Sequence, residues 1–171
     1  SRRPHERMTE FTRPATWQDV LQVVKYLDEA GADYALVGGY AIAAHGFNRF
    51  SEDIDILVEA SAENATRWVA ALSRLPDGAA RELAAEADVF ANDNRYAIRI
   101  NDEITIDVMP SIAGHSWGAM KSHIIRREID GVAVPMLDLE GLLKTKQGLR
   151  PKDQQDARVL TEAIRRLSTD D

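Results

Sequence analysis

The amino-acid sequence predicts an α+β fold, with a small mixed β-sheet, helices packed mainly on one side of it, and a helix pair at the C-terminus. Three observations carry this. Helical and strand periodicities alternate through the first half of the chain. Two pairs of strand-like runs, around Asn101-Asp102 and Asp130-Gly131, are separated by residues that favour tight hairpin turns. Two helical segments then close the chain, the second opened by Pro151.

In order along the chain, Trp17, Val20, Leu21, Val24 and Leu27 recur at the spacing of one buried helix face. Thr16 is suited to cap that helix and Gly31 to stop it. Tyr34 to Val37 is a short apolar run ending in Gly38-Gly39, which reads as a buried strand, and Tyr40 to His45 as a short helix closed by Gly46. Asp53 to Val58 alternates acid and aliphatic, the period of a strand. Ala62 to Leu75 reads as a helix capped by Ser61, followed by a Pro76-Asp77-Gly78 turn. A weaker helix covers about 80–87, and Asn92-Asp93-Asn94 a turn. Strands Tyr96–Ile100 and Glu103–Val108 form the first hairpin, Ile124–Glu128 and Val132–Met136 the second. Gly114 to Gly118, just after the first hairpin, reads as a loop able to cover a site. The last two helices run from Asp138 to about Gln147 and onward from Pro151. Residues 1–15 read as a flexible arm and 16–171 as one domain.

Bulk composition narrows the function. A chain of 171 residues suits a single core, and 44% hydrophobic with 29% charged residues is ordinary globular composition. No apolar run reaches the length of a bilayer span, and the absence of cysteine excludes disulfides, thiolate metal sites and cysteine nucleophiles. A cytoplasmic location fits both. The net charge of −7 disfavours broad binding to a nucleic-acid backbone. The basic residues near the C-terminus alternate with acids, as on a salt-bridged surface.

Asp53-Ile54-Asp55-Ile56-Leu57-Val58 is the most informative stretch. Residues i and i+2 of a strand share a face, about 6.6 Å apart by backbone rise. Asp53 and Asp55 therefore project together and repel one another, unless a divalent cation lies between them. Magnesium, or manganese, suits this: it takes one or two carboxylates plus substrate phosphates and keeps several waters. In Ile104-Thr105-Ile106-Asp107-Val108 the aliphatic residues share one face, leaving Asp107 a charged residue on an otherwise apolar strand. Beside the first two acids it would complete a three-carboxylate cage for two metal ions.

Gly38-Gly39 follows a strand and opens a helix, where glycine permits positive φ and lets backbone amides approach a phosphate. The helix N-terminus adds partial positive charge at the same place. Arg49, four residues before Asp53, is a natural bidentate partner for carboxylate or phosphate. His45 either touches substrate or satisfies itself on the local backbone.

The stretch Leu36-Val37-Gly38-Gly39-Tyr40-Ala41-Ile42-Ala43-Ala44-His45-Gly46, followed by Arg49 and Ser51-Glu52-Asp53-Ile54-Asp55, resembles the polymerase-β-like nucleotidyltransferase superfamily. The closest likeness is to small bacterial proteins of the AbiEii-toxin and minimal-nucleotidyltransferase type, over about Trp17 to Leu167. Asp107-Val108-Met109-Pro110-Ser111 is similar to the strand end that supplies the third ligand, and Leu142 to Lys146, then Arg150-Pro151-Lys152-Asp153 and Asp156, to the family's C-terminal lysine helix and its continuation. The resemblance implies a nucleotidyltransferase fold. It also implies metal at Asp53, Asp55 and Asp107, Asp107 assisting the attacking hydroxyl, and a nucleotide site drawing on Gly38, Gly39, Tyr40, Arg49, Ser51 and Lys146. Many catalytic members carry serine or threonine where this chain has Tyr40.

Two functions follow as expectations. One is transfer of a nucleoside monophosphate from an NTP such as ATP to an acceptor hydroxyl, releasing pyrophosphate. The acceptor would be a protein, a tRNA end or a small molecule such as an antibiotic. A partner protein or homo-oligomer would complete so small a site. The alternative, favoured by Tyr40, is a binding module that keeps the fold and acts through a partner, as in a toxin–antitoxin pair.

Overall fold

The computed structural model describes residues 12–86, 88–90, 97–146 and 151–170. The expected turn at Asn92-Asp93-Asn94, most of the N-terminal arm and the residues joining the last two helices lie outside them.

Helix α1 (Trp17–Glu29) begins where the sequence places its cap. Thr16 accepts from the Asp19 amide while the Asp19 side chain returns to the Thr16 backbone, closing a capping box. Strand β1 (Tyr34–Val37) is buried along its whole length, and α2 (Gly38–Ala44) starts directly on the glycine pair. Strand β2 (Ile54–Val58) begins just after Asp53. Helix α3 (Ala62–Leu72) ends earlier than its apolar pattern implies, because Ser73 and Arg74 already turn toward Pro76. Its Trp68 is fully buried in the core. The weak helix expected next is a 3-10 helix, Ala79–Ala85.

Strands β3 (Ile98–Asn101) and β4 (Thr105–Met109) form the first hairpin, and β5 (Ser111–Ile112) and β6 (His115–Ser116) a small second one. Ala113 and Gly114 turn the latter with φ of 49° and 80°, the sign that a two-residue hairpin turn requires. The short α4 (Trp117–Met120) leads to β7 (Ile124–Ile129) and β8 (Val132–Leu137), turning at Asp130-Gly131 as the sequence predicts. Asp138 then caps α5 (Leu139–Lys144), and α6 runs from Pro151 to Asp170.

Six strands make one mixed sheet in the order β3-β4-β2-β1-β8-β7. β1 is antiparallel to β2 and parallel to β8, while β2 is parallel to β4. This is the α+β architecture with a mixed sheet that the sequence predicts.

Two buried polar side chains fix the crossovers. Asn64, 1% exposed, accepts from the Asp33 amide and donates to the carbonyls of Asp33 and Glu59, tying α3 to the outer ends of β1 and β2. Asp102 is completely buried at the β3–β4 turn. Its carboxylate accepts from the amides of Asp77, Ala79 and Glu103 at 2.8–2.9 Å. The hairpin therefore turns over Asp102–Ile104, with the Asp102 amide on the Ile104 carbonyl, instead of over Asn101-Asp102. Nothing in a lone turn aspartate distinguishes such a clamp from a solvated one.

Replacing that acceptor strands three amides, and a buried unsatisfied group costs about 1–3 kcal/mol. Asp102→Ala is expected to lose about 3 kcal/mol of stability and Asp102→Asn less, as read by urea unfolding. A loss below about 1 kcal/mol for Asp102→Ala would show that water replaces the carboxylate.

Candidate active site

The site is a consequence of strand register. Across the sheet Val37, Asp55, Asp107 and Arg99 stand in one row: Val37 opposite Asp55, Asp55 opposite Asp107 and Asp107 opposite Arg99. Side chains at paired positions share a face, so the two acids and the arginine emerge together. Asp53, two residues before Asp55, joins the same edge. Like charges directly opposed on neighbouring strands repel, and no pairing within β2 and β4 relieves this.

The consequence falls on Asp55. Burial pushes its carboxyl up to about 7, and the neighbouring charge of Asp107, a hydrogen bond with Asp107 and the charge of Asp53 add to the rise. Lys146 works in the opposite direction, which places its ammonium within electrostatic reach. Asp107 answers its charge differently. Arg99 Nε and Nη2 donate to the two Asp107 oxygens at 2.9 and 3.1 Å, and Nη2 reaches Asp53 Oδ2 at 3.4 Å. The Asp107 bond and charge raise the Arg99 guanidinium further, so it is permanently cationic.

Gly38 ends the row. Its φ is 70°, and a Cβ there would collide with the Asp55 carboxylate. Gly39 meets Ser51 in the same way, at 2.7 Å from the Ser51 Cβ. Ser51 in turn donates to the Asp53 carbonyl at 2.8 Å, so the loop carrying the acids is pressed against the glycine turn. As first-turn residues of α2, both glycines hold amides outside the intrahelical ladder. Backbone donors and carboxylates are thus brought into contact, and any side chain larger than hydrogen would separate them.

The remaining expected residues divide. Tyr40 points inward: its ring is buried, packs edge-on against Trp17 at 4.9 Å, and its hydroxyl donates to the Ala15 carbonyl at 2.5 Å. What it offers the site is its backbone. Residues 12–15 are anchored nearby, with the Ala15 amide on Glu52 and the Arg13 amide on Glu103. Arg49 pairs with Asp156 at 3.6 Å rather than with the acids of β2. Lys146 lies 3.2 Å from Asp156 and 3.5 Å from Asp153, both buried on α6. His45 donates Nε2 to the Leu137 carbonyl at 2.9 Å, its pKa lowered by burial, and so serves the fold.

The residue that sequence reading passed over is Arg99. It sits on a strand the sequence does predict, but a turn over Asn101-Asp102 would set it in a different register. The three-residue turn enforced by Asp102 moves it opposite Asp107.

A cation fits the chemistry of this donor set: three crowded carboxylates, one of them driven toward its neutral form by burial and by the other two. In the arrangement present, however, no group of three or more acidic or histidine side chains among the described residues stands ready to hold a metal ion. The Arg99 fork is already engaged with two of the three acids.

No curated protein matches the chain. Among solved structures it resembles a Thermotoga maritima protein provisionally described as a nucleotidyltransferase, with a TM-score of 0.56 at 14% identity over 88% of this chain and 92% of that one. It also resembles the antibiotic-resistance factor ANT(2'')-Ia, with a TM-score of 0.56 at 16% identity over 86% of this chain and 84% of that one. At these identities the likeness establishes the nucleotidyltransferase fold. The sequence profile of the aminoglycoside-2''-adenylyltransferase family matches residues 19–160, which include the glycine turn, all three acids and Lys146. The chain therefore belongs to the aminoglycoside-2''-adenylyltransferase family and is a nucleotidyltransferase.

Proposed function

We propose that this protein transfers AMP from ATP to a hydroxyl of an aminoglycoside-like amino sugar, using a divalent cation held by Asp53, Asp55 and Asp107. The observation that carries the reading is the row Asp55–Asp107–Arg99 set against the Gly38 turn. It joins carboxylates to backbone donors at one sheet edge. The family supplies the acceptor class, and a chain of net charge −7 attracts a polycationic sugar at long range.

The reaction joins an acceptor oxygen to the α-phosphorus and breaks the bond from that phosphorus to the bridging oxygen, releasing pyrophosphate. The amides of Gly38 and Gly39 cradle the phosphates, and Lys146 supplies positive charge beside them. Asp107 takes the proton of the attacking hydroxyl. When bound, magnesium neutralises phosphoryl charge and favours ionisation of that hydroxyl. Positioning and electrostatics do the rest. Use of ATP agrees with a cytoplasmic location, and among the described residues no helix is long and apolar enough to cross a membrane.

The test is incubation with ATP labelled at the α-phosphate, magnesium and a panel of aminoglycosides. Label is expected on an aminoglycoside, with Asp53→Ala and Asp55→Ala slower by about 100-fold or more. The alternative, a catalytically weak binding module that acts through a partner, would instead leave every acceptor unlabelled. Label on tRNA or protein but never on the sugars would sink the amino-sugar assignment.

Asp55 gives a second prediction. Its folded-state pKa, about 7, lies above the ordinary 3.8, so between those values the folded chain binds a proton that the unfolded chain releases. In chelator, stability should therefore fall as pH rises from about 4 to 7. Asp55→Asn should remove most of that fall and be more stable than wild type at pH 8, by on the order of 2 kcal/mol. Chemical denaturation across pH checks this; a variant no more stable than wild type at pH 8 would refute it.

A further inference from the structure

Arg99 uses the carboxylate oxygens that a cation would need. It approaches from β3, the strand paired with β4, and its fork closes on both oxygens of Asp107 at 2.9 and 3.1 Å. The same Nη2 reaches Asp53 at 3.4 Å, so one guanidinium spans the first and third acids. Asp55, between them, is left outside the fork. Its charge is countered at longer range by those of Lys146 and of Arg99 itself.

We propose that Arg99 is a built-in counter-ion that bars free divalent cations from this site, so that the cation enters with its nucleotide and not ahead of it. The inference rests on the metal-dependent reading given above. A bare cation has to displace charge-assisted hydrogen bonds and then sit beside the positive charge it displaced. A cation carried on a triphosphate brings negative charge with it, and that charge gives the guanidinium a new partner as it leaves Asp107. Arg99 is free to make the exchange because its side chain is 60% exposed, against 16% for Asp107 and 37% for Asp53. Asp55 and Asp107 stand on the inner strands β2 and β4, whereas Arg99 reaches across from the edge strand β3.

A guanidinium that stayed on the acids throughout would weaken cation binding equally with and without nucleotide, so the comparison of the two conditions is decisive. Manganese alone is titrated calorimetrically into metal-free wild type, Arg99→Gln and Arg99→Lys, and then again with a non-hydrolysable ATP analogue present. Without nucleotide, Arg99→Gln is expected to bind manganese about tenfold more tightly than wild type, with Arg99→Lys between them. With the analogue the three should agree within about twofold, since in each the site is then loaded by the nucleotide. Arg99→Lys keeps the charge but loses the fork, and it carries the comparison if Arg99→Gln does not fold. Equal manganese affinity in wild type and variants without nucleotide would overturn the inference and leave the metal reading standing. Failure of every form to bind manganese, with or without the analogue, would overturn both.

Discussion

Two parallel strands, β2 and β4, pair so that Asp55 lies opposite Asp107. The rest of the site is organised around the repulsion this creates. A sheet gives neither side chain a way to rotate off the shared face, because register fixes where each Cβ points. The charge must be answered from outside the pair. On the β3 side Arg99 does so through a bidentate bond. On the β1 side Gly38 contributes only backbone, pressed so close that a methyl group would strike Asp55. Asp55 itself is met by retaining a proton to about pH 7.

The fold spends much of its buried polar chemistry on holding that register. Asp102 sets the turn that places Arg99, and Asn64 ties α3 across the ends of β1 and β2. Both sit away from the acids, yet each determines where a strand starts or turns. On the other flank α6 brings Asp153 and Asp156 to Lys146 and Arg49, forming a second charge group behind the first. Lys146 links the two, since it also acts on Asp55. Membership of the aminoglycoside-2''-adenylyltransferase family agrees with an edge built this way. Phosphoryl transfer asks for donors and charges in fixed places and little other covalent machinery from the protein.

Much of this was open to sequence reading because it is local. Periodicity and capping placed α1, β1, β2 and the β7–β8 hairpin to within a residue or two, and the alternation in Asp53–Val58 put both acids on one face. The positions of Gly38 and Gly39 between strand and helix were equally plain. Tyr40 shows the limit. Its place after the glycine pair set it near nucleotide, but whether its side chain faces phosphate or core depends on Trp17 and Ala15, more than twenty residues away.

The sequence by itself determined which residues carry charge, which elements hold them and which face of its own strand each acid takes, because those follow from periods of two and 3.6 residues. Only the tertiary structure decided which charges meet. Arg99 opposes Asp107 because a buried aspartate widens one turn, and Arg49 turns to Asp156 because α6 returns across the loop before β2. Pairings of this kind are set by register and by the packing of distant segments. A shift of one residue would reassign every partner without changing any local pattern.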